Sequence, residues 1–442
     1  MAKTTIIIGN GIAGITAARH IRKLSDNRII VVSAESEHFY SRTALMYIYM
    51  GHMKYEHTKP YEDWFWKKNR IELVKDLVTK IDIDHSKIVL KSATELTYND
   101  LIIATGSTSN FPNWPGSDSR GIQGLYSLQD LDQIETQTQG VQKAVVVGGG
   151  LIGIEMAEML HSRGIHVTLI VREKNYWNIV LPENEAKMIN REIVNNGIEL
   201  RLSTEVKEFR ADETGKVKSL ITNLDEEITC EFVGIAVGVS PNIKLLEASG
   251  INTNRGIVVD SNLRTNIPHI YAIGDCAEVQ NPESGRKSTE AVWYAGKIMG
   301  ETVAHTITGT PKEYSPGLWY NSAKFFNLEY QVYGFVPVDE SAEFDSLYWE
   351  DESGSRALRL VYKTKDFALT GINSIGIRIR QNIAENWILE ETDLKTVVTN
   401  LKSADFNAEF SKKFHSHFVE LYNDKFQDKI ETKKKQRAFF NL

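Results

Sequence analysis

Two short stretches of this 442-residue chain read as a buried strand running into a glycine-rich turn and then a helix: residues 4–18, TTIIIGNGIAGITAA, and residues 144–160, AVVVGGGLIGIEMAEML. In each, three glycines stand at GxGxxG spacing, Gly9, Gly11 and Gly14 in the first and Gly148, Gly150 and Gly153 in the second. The first glycine of such a set permits the tight turn, the second lets backbone approach a pyrophosphate, and the third lets helix and strand pack closely, with the anion at the positive helix end. One copy is weak evidence, because glycines ahead of a helix are often only a turn. Two copies, each behind an apolar strand, predict two dinucleotide sites.

Gly9 and Gly148 lie 139 residues apart, too far for solenoid repeats, whose period is about 20–50 residues. Two similar domains are expected instead. The first opens as strand (Thr4 to Ile8), helix (about Ile12 to Leu24) and strand (Arg28 to Val32), one βαβ unit. The aromatic and charged stretch that follows, EHFYSRTALMYIYMGHMKYEHTKPYEDWFWKK, is too irregular for a plain core helix. Short strands come next, ending in LTYNDLIIATGS, before the linker NFPNWPGSDSRG. Beyond the second fingerprint, IHVTLIV, a set of hairpin-like strands and PHIYAIGDCAEV continue the pattern. After TGTPKEYSPG the chain shifts to aromatic-rich strands, and from about residue 383 to helices closing in KIETKKKQRAFFNL.

At this length more than one core is expected. The net charge of -7 argues against a general nucleic-acid binder. No apolar run approaches the roughly 18–20 residues of a membrane span, and Lys3 leads straight into a strand, so a cytoplasmic protein is expected. Only Cys230 and Cys276 occur, in no metal-like or CxxC spacing. No metal site is expected: His415 and His417, two apart, point in different directions on a helix, and His161 and His166 flank a turn.

Together GNGIAG, YSRTAL, LIIATGS, GGGLIGIE, GVSPN and YAIGDCAE, in this order over nearly the whole chain, resemble the FAD-dependent pyridine nucleotide oxidoreductases, in the branch of ferredoxin and rubredoxin reductases and apoptosis-inducing-factor-like flavoproteins. The resemblance implies an α/β fold of two Rossmann-like dinucleotide-binding domains, the second inserted in the first, plus a C-terminal α+β domain with a helical extension. Residues 1–115 and 241–310 would bind FAD, residues 116–240 NAD(P)H, and residues 311–442 would form the last domain. It implies that Gly9, Gly11 and Gly14 approach the FAD pyrophosphate, that Glu35 accepts hydrogen bonds from the adenosine ribose, that Arg42 contacts the cofactor and that Asp275 binds the ribityl chain. Ala13, Val78, Thr105, Gly106, Gly238, Gly274, Glu290, Ala291 and Trp293 fall at further cofactor-binding positions, the last three where a helix N-terminus faces the flavin.

On the second cradle, Gly148, Gly150 and Gly153 would hold the nicotinamide dinucleotide, with Glu155 near the reacting ring. Glu173, about 20 residues past Gly153, suits the 2′-hydroxyl of NADH, whereas Arg172 suits the 2′-phosphate of NADPH. Three departures stand out. No cysteine precedes Cys230, which removes the thiol relay of the disulfide reductases. Tyr47 stands where the ferredoxin reductases tend to have a lysine paired with the glutamate matched to Glu155. A flavin-shielding tryptophan falls on Asn321 or Ser322. The expected activity is hydride transfer from NADH or NADPH to FAD, with Glu155 and Tyr47 as catalytic candidates, and electron delivery to a ferredoxin, a rubredoxin or a small molecule. A basic cluster at Lys433, Lys434, Lys435 and Arg437 is a candidate surface for an acidic acceptor. A second reading is a slow NADH-linked flavoprotein whose redox state controls homodimer formation or partner binding.

Overall fold

The computed structural model of the protein describes residues 3–247, 249–283, 285–339, 341–407, 409, 413–427 and 429–430. The basic cluster at 433–437 lies outside the described residues. Two compact units divide the chain, residues 1–172 with 204–316, and residues 173–203 with 317–442.

In the first unit, β1 (Thr4–Ile8), α1 (Ile12–Leu24) and β2 (Arg28–Ser33) form the expected βαβ turn. The aromatic stretch after it holds two helices of only five residues, α2 (Leu45–Tyr49) and α3 (Trp64–Lys68). β3 (Ile71–Lys75) follows, then an antiparallel meander of β4 (Val78–Asp82), β5 (Lys87–Leu90) and β6 (Glu95–Thr97), then β7 (Asp100–Ile103). With β19 (Ile270–Ala272), the long strands make a parallel sheet in the order β19-β7-β1-β2-β3. Covered on both faces, such strands are apolar throughout: Ile6, Ile7, Ile102 and Ile103 are fully buried.

The second βαβ turn repeats this plan. β8 (Ser107–Ser109), β9 (Ile122–Gly124) and α4 (Leu128–Gln137) precede β10 (Lys143–Val147), α5 (Leu151–Ser162) and β11 (His166–Ile170). A second meander, β13 (Val206–Ala211), β14 (Val217–Thr222) and β15 (Glu227–Thr229), leads to β16 (Phe232–Ile235). Strands β11, β10, β16 and β9 are parallel in that spatial order. The chain enters and leaves this region through β8 and β17 (Val239–Pro241), which pair antiparallel, Thr108 opposite Ser240. A small parallel pair, β18 (Ile257–Val259) and β20 (Ala277–Val279), flanks β19, and α7 (Trp293–Ile307) closes the unit against α1.

The second unit is a five-stranded antiparallel sheet, β21 (Tyr320–Phe325), β22 (Leu328–Gly334), β25 (Leu369–Ile375), β24 (Ala357–Lys363) and β23 (Phe344–Glu350) in spatial order. Helices α8 (Gln381–Leu389), α9 (Leu394–Ala404) and α10 (His415–Phe426) cover it. Residues 173–203, carrying α6 (Glu183–Asn195) and β12 (Glu199–Arg201), group here and not with the nucleotide region where the sequence reading put them. The reason is local chemistry. Glu185 of α6 is buried and takes both arms of Arg359 of β24 at 2.6 and 2.7 Å, and Trp177 packs on Phe325 and Tyr330. A buried carboxylate is stable only with such a partner.

Helix α7 lies so close to α1 that its glycines differ in what they tolerate. A Cβ on Gly300 would sit 2.6 Å from the Ala13 carbonyl oxygen, whereas one on Gly296 would meet only ordinary contacts at 3.5–3.8 Å. Gly300→Ala should therefore cost about 1–3 kcal/mol, and Gly296→Ala should be neutral or stabilising by up to about 1 kcal/mol. Denaturant unfolding of the two variants checks this; equal costs would contradict the packing.

Candidate active site

The two glycine turns are built bond for bond alike. Gly9 N–H donates to the Val32 carbonyl at 2.8 Å and Gly148 N–H to the Ile170 carbonyl at 2.9 Å. Ala104 N–H donates to Ile8 and Ala236 N–H to Val147, each at 2.8 Å. Gly9 and Gly148 have φ of 111° and 133°, and a Cβ on either would stand 2.1 Å from the carbonyl oxygen of Ala104 or Ala236. A Cβ on Gly14 or Gly153 would stand 2.1 or 2.2 Å from the carbonyl of Gly9 or Gly148. The chain's own packing thus requires the first and third glycines. It does not require the second: a Cβ on Gly11 or Gly150 meets nothing within 4 Å. Each of these two is the N-cap of its helix, α1 or α5, so open space lies where first-turn amides and the helix dipole favour an anion.

Glu35, just beyond β2, is the centre of a compact network. Arg42 donates to both its carboxylate oxygens at 2.9 and 2.6 Å, Tyr40 donates its hydroxyl at 2.5 Å, and the Leu128 N–H at the start of α4 donates at 3.0 Å. Burial pushes the carboxyl pKa up, but the Arg42 fork and the other donors outweigh it and hold the group below its ordinary value. Arg42 in turn donates to the Tyr126 carbonyl and lies over the Tyr126 ring, 4.4 Å from its centroid. Glu173 holds the matching place in the second turn: Val32 pairs with Ile8 and Ile170 with Val147, and Glu35 and Glu173 each follow three residues later. Arg172 is exposed.

Tyr126 also reaches the other end of the first cradle. Its hydroxyl accepts from Ser107 N–H at 2.9 Å and donates to Asp275 at 3.3 Å, where Ser107 Oγ donates as well, at 3.2 Å. Burial raises the Asp275 pKa, and these two donors offset only part of that rise. Around it, a Cβ on Gly274 would lie 3.0 Å from Ala13 Cβ, one on Gly106 2.9 Å from the Tyr126 hydroxyl, and Thr105 donates to the Asn242 carbonyl at 2.7 Å. The structure therefore brings Gly9, Gly11, Ala13, Gly14, Glu35, Arg42, Thr105, Gly106, Gly274 and Asp275 to the C-terminal end of one sheet. Tyr126 joins them. Sequence reading missed it; the only signal was its place just before the Ser127 and Asp130 capping box of α4.

Other expected residues sit differently. Val78 is a core residue at the first position of β4. Gly238, with φ of 103°, accepts from Asn110 N–H at 3.0 Å beside the β8–β17 pair. Helix α7 begins at Trp293, the last residue of the stretch expected to open it; Ala291 is exposed before it, and Trp293 lies tilted against Phe39 with centroids 6.0 Å apart. Glu290 is buried and bound by Arg286 at 2.8 and 2.5 Å, so its charge is already matched within the chain. On the second turn, Glu155 lies one turn into α5. Burial, with the nearby Glu158 charge, pushes its pKa up to about 7. Tyr47 is half-buried on α2, which packs on α5, and stacks near His52. Among the described residues no group of three His, Cys, Asp or Glu side chains converges on a metal position, and no helix is long and apolar enough to cross a membrane.

The sequence profile of the pyridine nucleotide-disulphide oxidoreductases matches residues 3–303, both glycine turns included. The chain belongs to this family. Among curated members, it is 31% identical over 406 residues to the nitrite reductase [NAD(P)H] of Bacillus subtilis, covering 90% of this chain and 49% of that protein. It is 32% identical over 315 residues to the terpredoxin reductase of a Pseudomonas species, covering 70% and 76%. The chain spans about half the length of the first curated relatives it matches. Among solved members, a ferredoxin reductase of Rhodopseudomonas palustris superposes with a TM-score of 0.77 at 25% identity, covering 85% of this chain and 91% of that one. The architecture of two Rossmann-like regions and a C-terminal α+β unit is that of the family.

The raised pKa of Glu155 has a measurable consequence. The folded protein holds this proton more tightly than the unfolded chain, so its contribution to stability falls as pH rises from the ordinary value of 4.5 to about 7 and stays low above that. Glu155→Gln escapes the fall. Its melting temperature should gain on wild type as pH goes from about 4 to about 8; a gap that does not change with pH would show that folding leaves the Glu155 pKa unshifted.

Proposed function

We propose that the protein is an FAD-dependent NAD(P)H oxidoreductase that passes electrons to an external acceptor, a small ferredoxin- or rubredoxin-type protein or a small molecule. One observation carries the reading. Both second glycines, Gly11 and Gly150, face open space at a helix N-terminus while their neighbours are packed against backbone, the arrangement a pyrophosphate needs and a mere turn does not. FAD fits the first turn. Gly11 and the α1 amides would receive the pyrophosphate, Glu35 and Arg42 the adenosine end, and Asp275, held by Ser107 and Tyr126, the ribityl hydroxyls. Residues 1–115 with 241–310 are read as the FAD-binding part, 116–240 as the NAD(P)H-binding part, and 311–442 as the C-terminal domain, with 173–203 folded onto the latter.

Bound there, FAD would accept hydride from the reduced nicotinamide and release the electrons singly. The chain's own part is to position and to set the field. Glu155, its pKa raised to about 7, is only partly ionised near neutrality and so would add less than a full negative charge beside the reacting rings; Tyr47, in place of a lysine, leaves that proton without a competing cation. Neither cysteine can serve as a thiol relay. Cys230 and Cys276 are buried, and burial raises both thiol pKa values, that of Cys230 to about 12. Glu173, in register with Glu35, favours a free ribose hydroxyl and hence NADH over NADPH. The cytoplasm, which supplies reduced pyridine nucleotides, is the proposed compartment.

Anaerobic titration of the purified flavoprotein tests the reading: NADH should bleach the flavin band, and a panel of acceptors should restore it. A protein without a flavin band, or one that neither reduced nucleotide bleaches, overturns it. Gly11→Val should fold, because space is open there, yet lose FAD; a folded, fully yellow variant would rule out the first cradle. Glu173→Ala should lower the preference for NADH over NADPH by about tenfold, roughly 1.4 kcal/mol, read from the ratio of kcat/KM values.

A further inference from the structure

Helix α5 starts in the second glycine turn, carries Glu155, and is capped at its far end by Arg163. The guanidinium of Arg163 does three things at once. Its Nε donates to the Tyr49 carbonyl at 3.0 Å, and Nη2 donates to the same oxygen. Its plane lies on the Tyr49 ring, 3.7 Å from the centroid. Its outer edge pairs with both carboxylate oxygens of Glu135 on α4 at 2.7 and 2.5 Å. Tyr49 is the last residue of α2 and fully buried, so its carbonyl is one of those that a helix end leaves without an internal partner. The Tyr49 hydroxyl donates to Thr138 Oγ1 at 2.7 Å, since Thr138 spends its own proton on the Ile134 carbonyl.

Helix α4 therefore binds α2 and α5 through Glu135 and Thr138 at one end. At its other end it holds Glu35 through the Leu128 N–H and through Gln129, which donates to the Glu35 carbonyl at 2.7 Å. An exposed ion pair alone contributes little. A planar fork that fixes a carbonyl, a ring and a carboxylate together fixes geometry, which lysine cannot reproduce.

We propose that Arg163 is a positioning residue, clamping α2, which carries Tyr47, against α5, which carries Glu155, and so fixing how the nicotinamide meets the flavin. This rests on the function proposed above. The test compares wild type, Arg163→Met, Arg163→Lys and Glu135→Gln. Before any nucleotide is added, hydrogen exchange should be faster at the α2 amides in Arg163→Met and unchanged in β10, with FAD retained. On rapid mixing with NADH, the limiting rate of flavin bleaching should fall about tenfold, with less than a twofold change in the half-saturating NADH concentration. The long-wavelength nicotinamide–flavin charge-transfer absorbance should weaken with it. Arg163→Lys should stay slow, and Glu135→Gln should show the same split in smaller degree.

Unchanged exchange and unchanged bleaching in Arg163→Met overturn the proposal, as does full rescue by Arg163→Lys, which would make charge, not geometry, the cause. If Arg163→Met fails to fold, Glu135→Gln decides: a lowered limiting rate with unchanged half-saturation supports the clamp, and wild-type kinetics overturn it. Wild-type protein that NADH does not bleach sinks the functional reading, and this proposal with it.

Discussion

The site depends on one steric fact: peptide carbonyls occupy the places where glycine Cβ atoms would be. The Ala104 oxygen fills that place for Gly9, and the Gly9 oxygen fills it for Gly14. Strand β7 can therefore lie tight against the turn, and α1 can lean onto the strand end with its first amides facing outward. On its other side α1 is pressed by α7, where Gly300 meets the Ala13 carbonyl. The helix that would carry an anion has no room to shift. The second turn reproduces the inner half of this arrangement with Ala236, Gly148 and Gly153.

Much of this was legible in the sequence, and the reason is periodicity. β1, α1, β2, β10, α5 and β11 are continuous apolar runs or amphipathic helices bounded by glycine, and their signals are local. α2 and α3 were not legible. They are five-residue helices in an aromatic stretch, shaped by tertiary ring contacts such as Tyr61 on Phe65 at 4.6 Å. Glu35 could be found by counting from Gly14. Tyr126 could not, because its value lies in reaching Arg42, Ser107 and Asp275, which come from three other parts of the chain. Residues 173–203 followed β11 without a break in pattern, yet Glu185 finds its partner 174 residues away in Arg359. Glu290 illustrates the opposite limit: its position near the start of α7 was visible, but not that Arg286 would already neutralise it.

Three carboxyl groups in one unit are tuned in different directions by their surroundings. Glu35 is held ionised by a guanidinium and a helix N-terminus despite burial. Asp275 is raised by burial, its hydroxyl donors and the more distant Arg42 charge offsetting only part of the rise. Glu155 is raised by burial and by a second glutamate, with no cation among the causes. The Glu35 end of the first cradle is thus the place of fixed charge, while the region around Glu155 can gain or lose a proton near neutrality. That separation suits the function proposed above, in which a permanent anchor and a reacting centre would lie apart.

The β8–β17 pair carries a different lesson. Because the outgoing and returning strands are laced to each other, the chain that departs after Ser109 comes back at Val239 directly opposite the point it left. A displacement of either strand must therefore be shared by the other, so the ribbon behaves as a leaf spring and not as two independent hinges.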